Sequence, residues 1–131
     1  MAEVPQETVP YTIYISGPIS GVPDYWLRFL RAETFLRQDL RGRAIAPRIF
    51  NPARLPRDWS NRQYMHAAFA AIDESDVVIL LPGWENSGGA SLEKEYAGYT
   101  GIPMMIFAEL YPEVSLEEPI TEEGEDGTWE T

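Results

Sequence analysis

Short apolar runs alternate along this chain with segments whose apolar residues recur at helical spacing. Tyr11-Thr12-Ile13-Tyr14-Ile15 is β-branched and aromatic and stops at Ser16-Gly17-Pro18, which predicts a first strand. Asp24 follows Pro23 and can cap a helix running to about Leu40. Trp26, Phe29, Leu36 and Leu40 fall on one stripe of that helix, and Arg28, Arg31, Glu33 and Arg37 are expected in solvent. Arg41-Gly42-Arg43 ends it, and Ala44-Ile45-Ala46 predicts a brief second strand. Residues 47–60 carry Pro47, Pro52 and Pro56 and predict an ordered but irregular loop. A second helix is predicted from near Ser60 to Glu74, burying Tyr64, Ala68, Ala71 and Ile72. Val77-Val78-Ile79-Leu80-Leu81 shows no alternation, so it reads as a strand covered on both faces. The loop Pro82–Gly89 leads into a helix from about Ala90 to Tyr99. Gly101 then breaks the chain before a last strand, Pro103–Phe107.

Strands alternating with helices predict an open α/β sheet with right-handed crossovers. Ligands of such sheets sit beyond the carboxyl ends of the strands. Two glycine-containing loops occupy those positions here: Ser16–Gly21 after the first strand and Gly83–Gly89 after the third. Their common edge is the expected pocket.

Charge changes the picture mainly at one end. The 131 residues carry a formal charge of −11. Nine of the 21 acidic residues and none of the ten basic ones fall in 109–131, so the remaining chain is nearly neutral. Three regions are therefore expected: an N-terminal extension over 1–10, an α/β domain over 11–108, and an acidic, flexible tail over 109–131. The tail reads as a solubilising end or as a docking segment for a basic partner. No basic footprint for nucleic acid is visible, and no apolar run approaches the ~18 residues of a membrane helix. The N-terminus lacks a leader pattern, and a cytoplasmic location is expected. There is no cysteine and a single histidine, His66, so thiol chemistry is excluded and no metal or other cofactor is expected.

The two loops carry the candidate chemistry. Ser87, Gly88, Gly89 and Ala90 can offer backbone N–H groups to an anion at a helix start, although a capping serine in an ordinary β–α turn has the same pattern. Glu93 reads either as an acid favoured in the first helical turn or as a nucleophile aimed at an electrophilic carbon. Anomeric carbons suit a carboxylate because their transition states are oxocarbenium-like. Tyr14, Tyr25, Trp26 and Trp84 lie in or beside the loops, and Trp84, between Gly83 and Glu85, is the better candidate to stack on a planar base. Core packing is the competing reading for Tyr14 and Trp26.

The segments YISGPISG (14–21) and DVVILLPGWENSGGASLEKEYA (76–97), with the GIP before the last strand, resemble the nucleoside 2-deoxyribosyltransferase-like superfamily. The likeness covers roughly residues 11–107 and is nearest to a branch common in phages and prophages. The superfamily also holds 2′-deoxynucleoside 5′-phosphate N-hydrolases. The resemblance implies a three-layer, Rossmann-like (flavodoxin-like) open parallel sheet of four to five strands with flanking helices, and a homo-oligomer. It implies Glu93 as the nucleophile at the deoxyribose anomeric carbon. Ser87 would contact a 5′-phosphate, and Ser16, Gly17, Pro18 and Ile19 would line the base and sugar site. Gly89 would be the glycine before the catalytic helix, with Asn86 and Gly88 beside it in the binding loop. The family's helix aspartate falls at Ala68, which can neither accept nor donate a proton.

These readings lead to cleavage or transfer of the N-glycosidic bond of a (deoxy)nucleoside 5′-monophosphate. The partner expected is a small nucleotide or nucleoside, with neither nucleic acid nor membrane. The alternative is a catalytically weak or inactive protein that binds or senses a nucleotide, which Ala68 favours.

Overall fold

The computed structural model describes residues 9–117; the first eight residues and the end of the acidic region lie outside them. Four strands, β1 (Val9–Ser16), β2 (Ile45–Phe50), β3 (Val77–Leu80) and β4 (Met104–Ile106), form one parallel sheet in the order β2-β1-β3-β4. Helices α1 (Tyr25–Arg41), α2 (Asn61–Asp73), α3 (Gly88–Thr100) and the short α4 (Phe107–Leu110) flank it. The expected α/β, three-layer architecture is the one observed. Among the described residues, no helix is long and apolar enough to cross a membrane.

Alternation along β1 divides the core. Ile13 and Ile15 point to one face, where they pack with Phe29, Ala32 and Leu36 of α1, Phe107 and Leu116. Tyr14 points to the other face, towards Ala68 and Ile72 of α2 and Ala97 of α3. Val78 and Leu80 share Tyr14's face, while Val77 and Ile79 share the opposite one. All four β3 residues are buried, as their unbroken apolar run requires. β2 is longer than expected and takes in Pro47. It lies at the sheet edge, where a missing N–H is tolerated.

The order reverses between β1 and β3, whose ends carry the two glycine loops. They meet there because both chains come unusually close. A Cβ on Gly17 would lie 3.0 Å from Leu81 Cβ. Gly83 adopts φ +92°, and a side chain there would press on Pro18. The loops thus support each other directly at the switch point, the position at which open α/β sheets hold ligands.

Local signals set the starts of α2 and α3. Ser60 and Gln63 form a reciprocal capping box that opens α2. Ser87 caps α3 through Ala90 N–H, and Gly101 closes that helix in the left-handed region. Asp24 stands at the start of α1 without accepting a side-chain cap bond, unlike the expected role.

Three expectations are corrected by packing. Trp26 is largely exposed, whereas Glu33 is buried. Glu33 accepts hydrogen bonds from Asn51 Nδ2 (3.0 Å), Arg54 (2.9 Å) and Arg37 Nε (3.0 Å), so its charge is compensated. Burial works to raise its pKa, but those three donors prevail and hold it below the usual carboxylate value. The contacts tie α1 to the 3-10 turn Pro52–Arg54, in the stretch expected to be irregular. The boundary expected at residue 108 also moves. Leu116 is buried, Tyr111 packs on Phe35 at 4.6 Å and donates to Asp39, and Arg31 donates to the Leu116 carbonyl. The expected flexible tail is therefore packed at least through Glu117, which pairs with Arg28; residues 118–131 of that region lie outside the described ones.

Glu33→Gln is expected to destabilise the fold at pH 7 by roughly 1–3 kcal/mol, because buried donors lose their charged acceptor. The folded-state pKa of Glu33 is depressed, so its contribution is present above the unfolded value and lost as pH falls through the folded one. Urea unfolding at neutral and acidic pH checks this: the difference from wild type is expected to narrow in acid.

Candidate active site

Glu93 reaches its position through two periodicities. On α3, Ala90, Glu93 and Ala97 form the buried stripe, and the two alanines bring the helix close to the sheet. On β1, Tyr14 and Ser16 are two residues apart and project to that same side. Tyr14 Oη donates to Glu93 Oε2 at 2.8 Å, and Ser16 Oγ donates to Oε1 at 2.5 Å. Tyr64 of α2 stands near enough to favour the Glu93 anion, to a lesser degree than Ser16 and Tyr14. Because α3 begins at Gly88, Glu93 lies beyond the first turn, and only 1% of it is exposed. A solvated acid favoured by the helix dipole does not describe it.

Burial raises the Glu93 pKa to about 7, and the hydroxyls of Ser16, Tyr14 and Tyr64 limit the rise by stabilising the anion. The same burial, with the Glu93 charge next in size, raises Tyr14 far above the usual phenol value. Tyr64 is raised for the same two reasons. The cluster is thus a carboxylate poised to exchange a proton near neutrality, surrounded by phenols that keep theirs.

A cavity of about 510 Å³ opens at the switch point. Gly17 and Ile19 line it from the first loop, and Asn86, Ser87, Gly88 and Gly89 from the second. Pro52, Leu55, Pro56, Arg57 and Trp59 form the opposing wall, with Tyr25 and Tyr64 between them. Glu93 does not itself line the cavity; it bonds Ser16, the residue before cavity-lining Gly17, and follows cavity-lining Ala90 by three positions on α3. Ser87 Oγ accepts from Ala90 N–H at 3.1 Å, so the capping reading holds, and its O–H proton is left to donate to a ligand. Among the described residues, Arg57 is the one charged side chain lining the cavity. Its guanidinium lies 5.8 Å from the Tyr25 ring centroid. No group of three or more His, Cys, Asp or Glu among the described residues is placed to hold a metal ion.

The sequence-predicted residues therefore divide. Gly17, Ile19, Asn86, Ser87, Gly88 and Gly89 line the cavity; Tyr14 and Ser16 are buried partners of Glu93 rather than ligand contacts. Pro18 turns towards Gly83 and does not line it. Trp84, expected to stack on a base, packs instead against the α2–α3 side of the core with Lys94 Nζ 5.6 Å from its ring. It opens a 3-10 turn and does not line the cavity. Arg57 and Trp59 were not foreseen, because their wall is assembled by the Glu33 contacts across elements. Tyr64 was legible as a buried helical position, but its reach to Glu93 was not.

Residues 11–106 match the family described as a domain of unknown function, DUF4406. The chain belongs to this family. No curated protein matches it. Among solved structures, this DUF4406 chain is similar to the 2-desoxiribosyltransferase from Leishmania mexicana. The TM-score is 0.54 at 22% identity, over 88% of this chain and 81% of that one. That likeness carries the fold, and the DUF4406 site rests on its own geometry.

A raised carboxylate pKa makes the folded state hold its proton longer than the unfolded chain. The Glu93 contribution therefore costs nothing below the unfolded value of 4.5, and stability declines as pH rises from there towards about 7. Glu93→Gln is expected to abolish that decline and to gain up to about 3 kcal/mol relative to wild type at pH 8, less the loss from imperfect hydrogen bonding. Thermal unfolding at pH 5 and pH 8 measures it; an unchanged pH dependence would contradict the burial argument.

Proposed function

We propose that this protein cleaves or transfers the N-glycosidic bond of a 2′-deoxynucleoside 5′-monophosphate, with Glu93 as the nucleophile. The observation that carries the reading is a buried carboxylate gripped by two hydroxyls immediately behind a nucleotide-sized cavity. In this reading Glu93 attacks C1′, the base departs, and water or a second base resolves the glycosyl-enzyme ester. Tyr14 and Ser16 fix the carboxylate and limit its desolvation penalty. The fold it shares with a 2-desoxiribosyltransferase supports the same class of chemistry.

The 5′-phosphate is the substrate feature favoured by Arg57, Ser87 and the N–H groups at the start of α3. A cation and a hydroxyl donor suit an oxyanion better than a neutral sugar hydroxyl. We also propose a homo-oligomer, since Trp59 at the cavity and neighbouring Leu92 leave large apolar surface exposed that a second copy would cover.

Capture of a nucleotide without turnover is the second reading. It is favoured by the near-complete covering of Glu93, which must be uncovered before it can attack. Calorimetry with the ligand recovered intact would identify it.

A panel of deoxynucleotides, followed for free base by chromatography, tests the enzymatic reading. Glu93→Ala is expected to lower base release by on the order of 10⁴-fold or more; undiminished release would reject Glu93 as the nucleophile. Since the nucleophile acts ionised, kcat/KM is expected to rise with pH and level off above about 7. Arg57→Ala is expected to raise KM about 10–100-fold for monophosphates and to leave free nucleosides unchanged.

A further inference from the structure

A departing base needs a proton, and its donor must stand near both Glu93 and the cavity. Ala68 is buried among Tyr14, Ile72 and Ala97 and offers no exchangeable hydrogen. His66 is exposed and does not line the cavity. Asp73 is exposed and accepts from Tyr96 Oη at 2.7 Å, away from the cavity. Tyr14 and Ser16 do not line the cavity, and each already donates its hydroxyl proton to Glu93. Arg57 lines the cavity but does not give up its proton in proteins. Tyr25 lines it from the Arg57 side without contributing a hydrogen bond to Glu93.

Tyr64 meets both conditions. It sits one helical turn before Ala68 on the same face of α2, packs against the Tyr14–Ala68 cluster and lines the cavity. We propose that Tyr64 is the catalytic acid–base of the reaction, giving its phenolic proton to the departing base and recovering one from the attacking water. This rests on the nucleophilic reading of Glu93.

The step balances. The Glu93 oxygen bonds to C1′ as the C1′–N bond breaks, and the bonding pair stays on the base nitrogen. That nitrogen takes the Tyr64 proton, leaving a phenolate. Water then attacks C1′, the ester bond to Glu93 breaks, and the proton of the water restores the phenol. The products are the neutral base and the 2-deoxyribose 5-phosphate.

Electrostatics time the transfer. Before reaction, burial and the Glu93 charge both hold the proton on Tyr64. Ester formation removes the Glu93 charge, so the second of those restraints vanishes as the base gains electron density.

Tyr64→Phe keeps the ring and removes the proton. Base release from deoxynucleoside monophosphates is expected to fall about 10²–10³-fold in kcat, with KM within threefold of wild type. The decisive comparison uses 4-nitrophenyl 2-deoxyriboside 5-phosphate, whose leaving group departs as a stable anion. Its first-turnover burst in Tyr64→Phe is expected to stay within about threefold of wild type, followed by a slower steady state. Equal losses on both substrates would overturn the proposal, assigning Tyr64 a positioning role through Glu93. No loss on either would overturn it as well. Calorimetric affinity for a monophosphate checks that the variant is folded, and Tyr64→Leu, which also removes the ring, separates packing from proton transfer by losing the burst too. Turnover surviving Glu93→Ala, or absent in wild type, would overturn the nucleophilic reading itself and is distinguishable from failure at Tyr64.

Discussion

A carboxylate withdrawn from water and held by two hydroxyls from the adjacent strand is the constraint on which the site depends. An ionised group in the interior is costly unless its lone pairs are occupied, and Glu93 meets that cost through Tyr14 and Ser16. The arrangement fixes how α3 sits on the sheet. Ala90 and Ala97 permit the close approach, and the longer Glu93 side chain reaches β1 between them. A helix rotated by one residue would bury Lys94 or Leu92 in its place. The chemistry and the packing of α3 are therefore one geometric fact.

A second buried acid, Glu33, is stabilised differently. Charged and amide donors surround it and pull its pKa down, while Glu93 has only hydroxyls and its pKa rises. Environment, rather than residue type, separates a structural carboxylate from a reactive one. The two are also connected through the cavity. Glu33 holds Asn51 and Arg54, and the segment they begin continues into Pro56, Arg57 and Trp59 along the ligand wall.

Much of the fold was legible in the chain. The unbroken apolar run at 77–81, the helix start near Ser60 and the glycine loops each rest on local chemistry, and local chemistry is what a sequence displays directly. Glu93 was legible as a candidate, and its burial could have been read from the alanines three before and four after it. What was not legible depends on contacts between distant elements. Glu33 looked solvated because its partners lie on a later turn. Trp84 looked like a ligand platform because it follows Gly83 in a loop, and only the assembled core shows its ring packed on the α2–α3 side. Tyr64 looked like core because nothing nearby in sequence reveals that Glu93 stands opposite it.

Arg28 joins two places that the chain keeps far apart. From α1 it pairs with Glu117 and donates at 2.7 Å to the carbonyl of Pro82, the residue before the glycine that supports Pro18. The segment after α4 therefore braces the binding loop from outside, through a single guanidinium. Shortening the chain at residue 108 would remove more than negative charge: it would unclamp one side of the switch point. A cut or fusion intended to spare the loop belongs beyond Glu117.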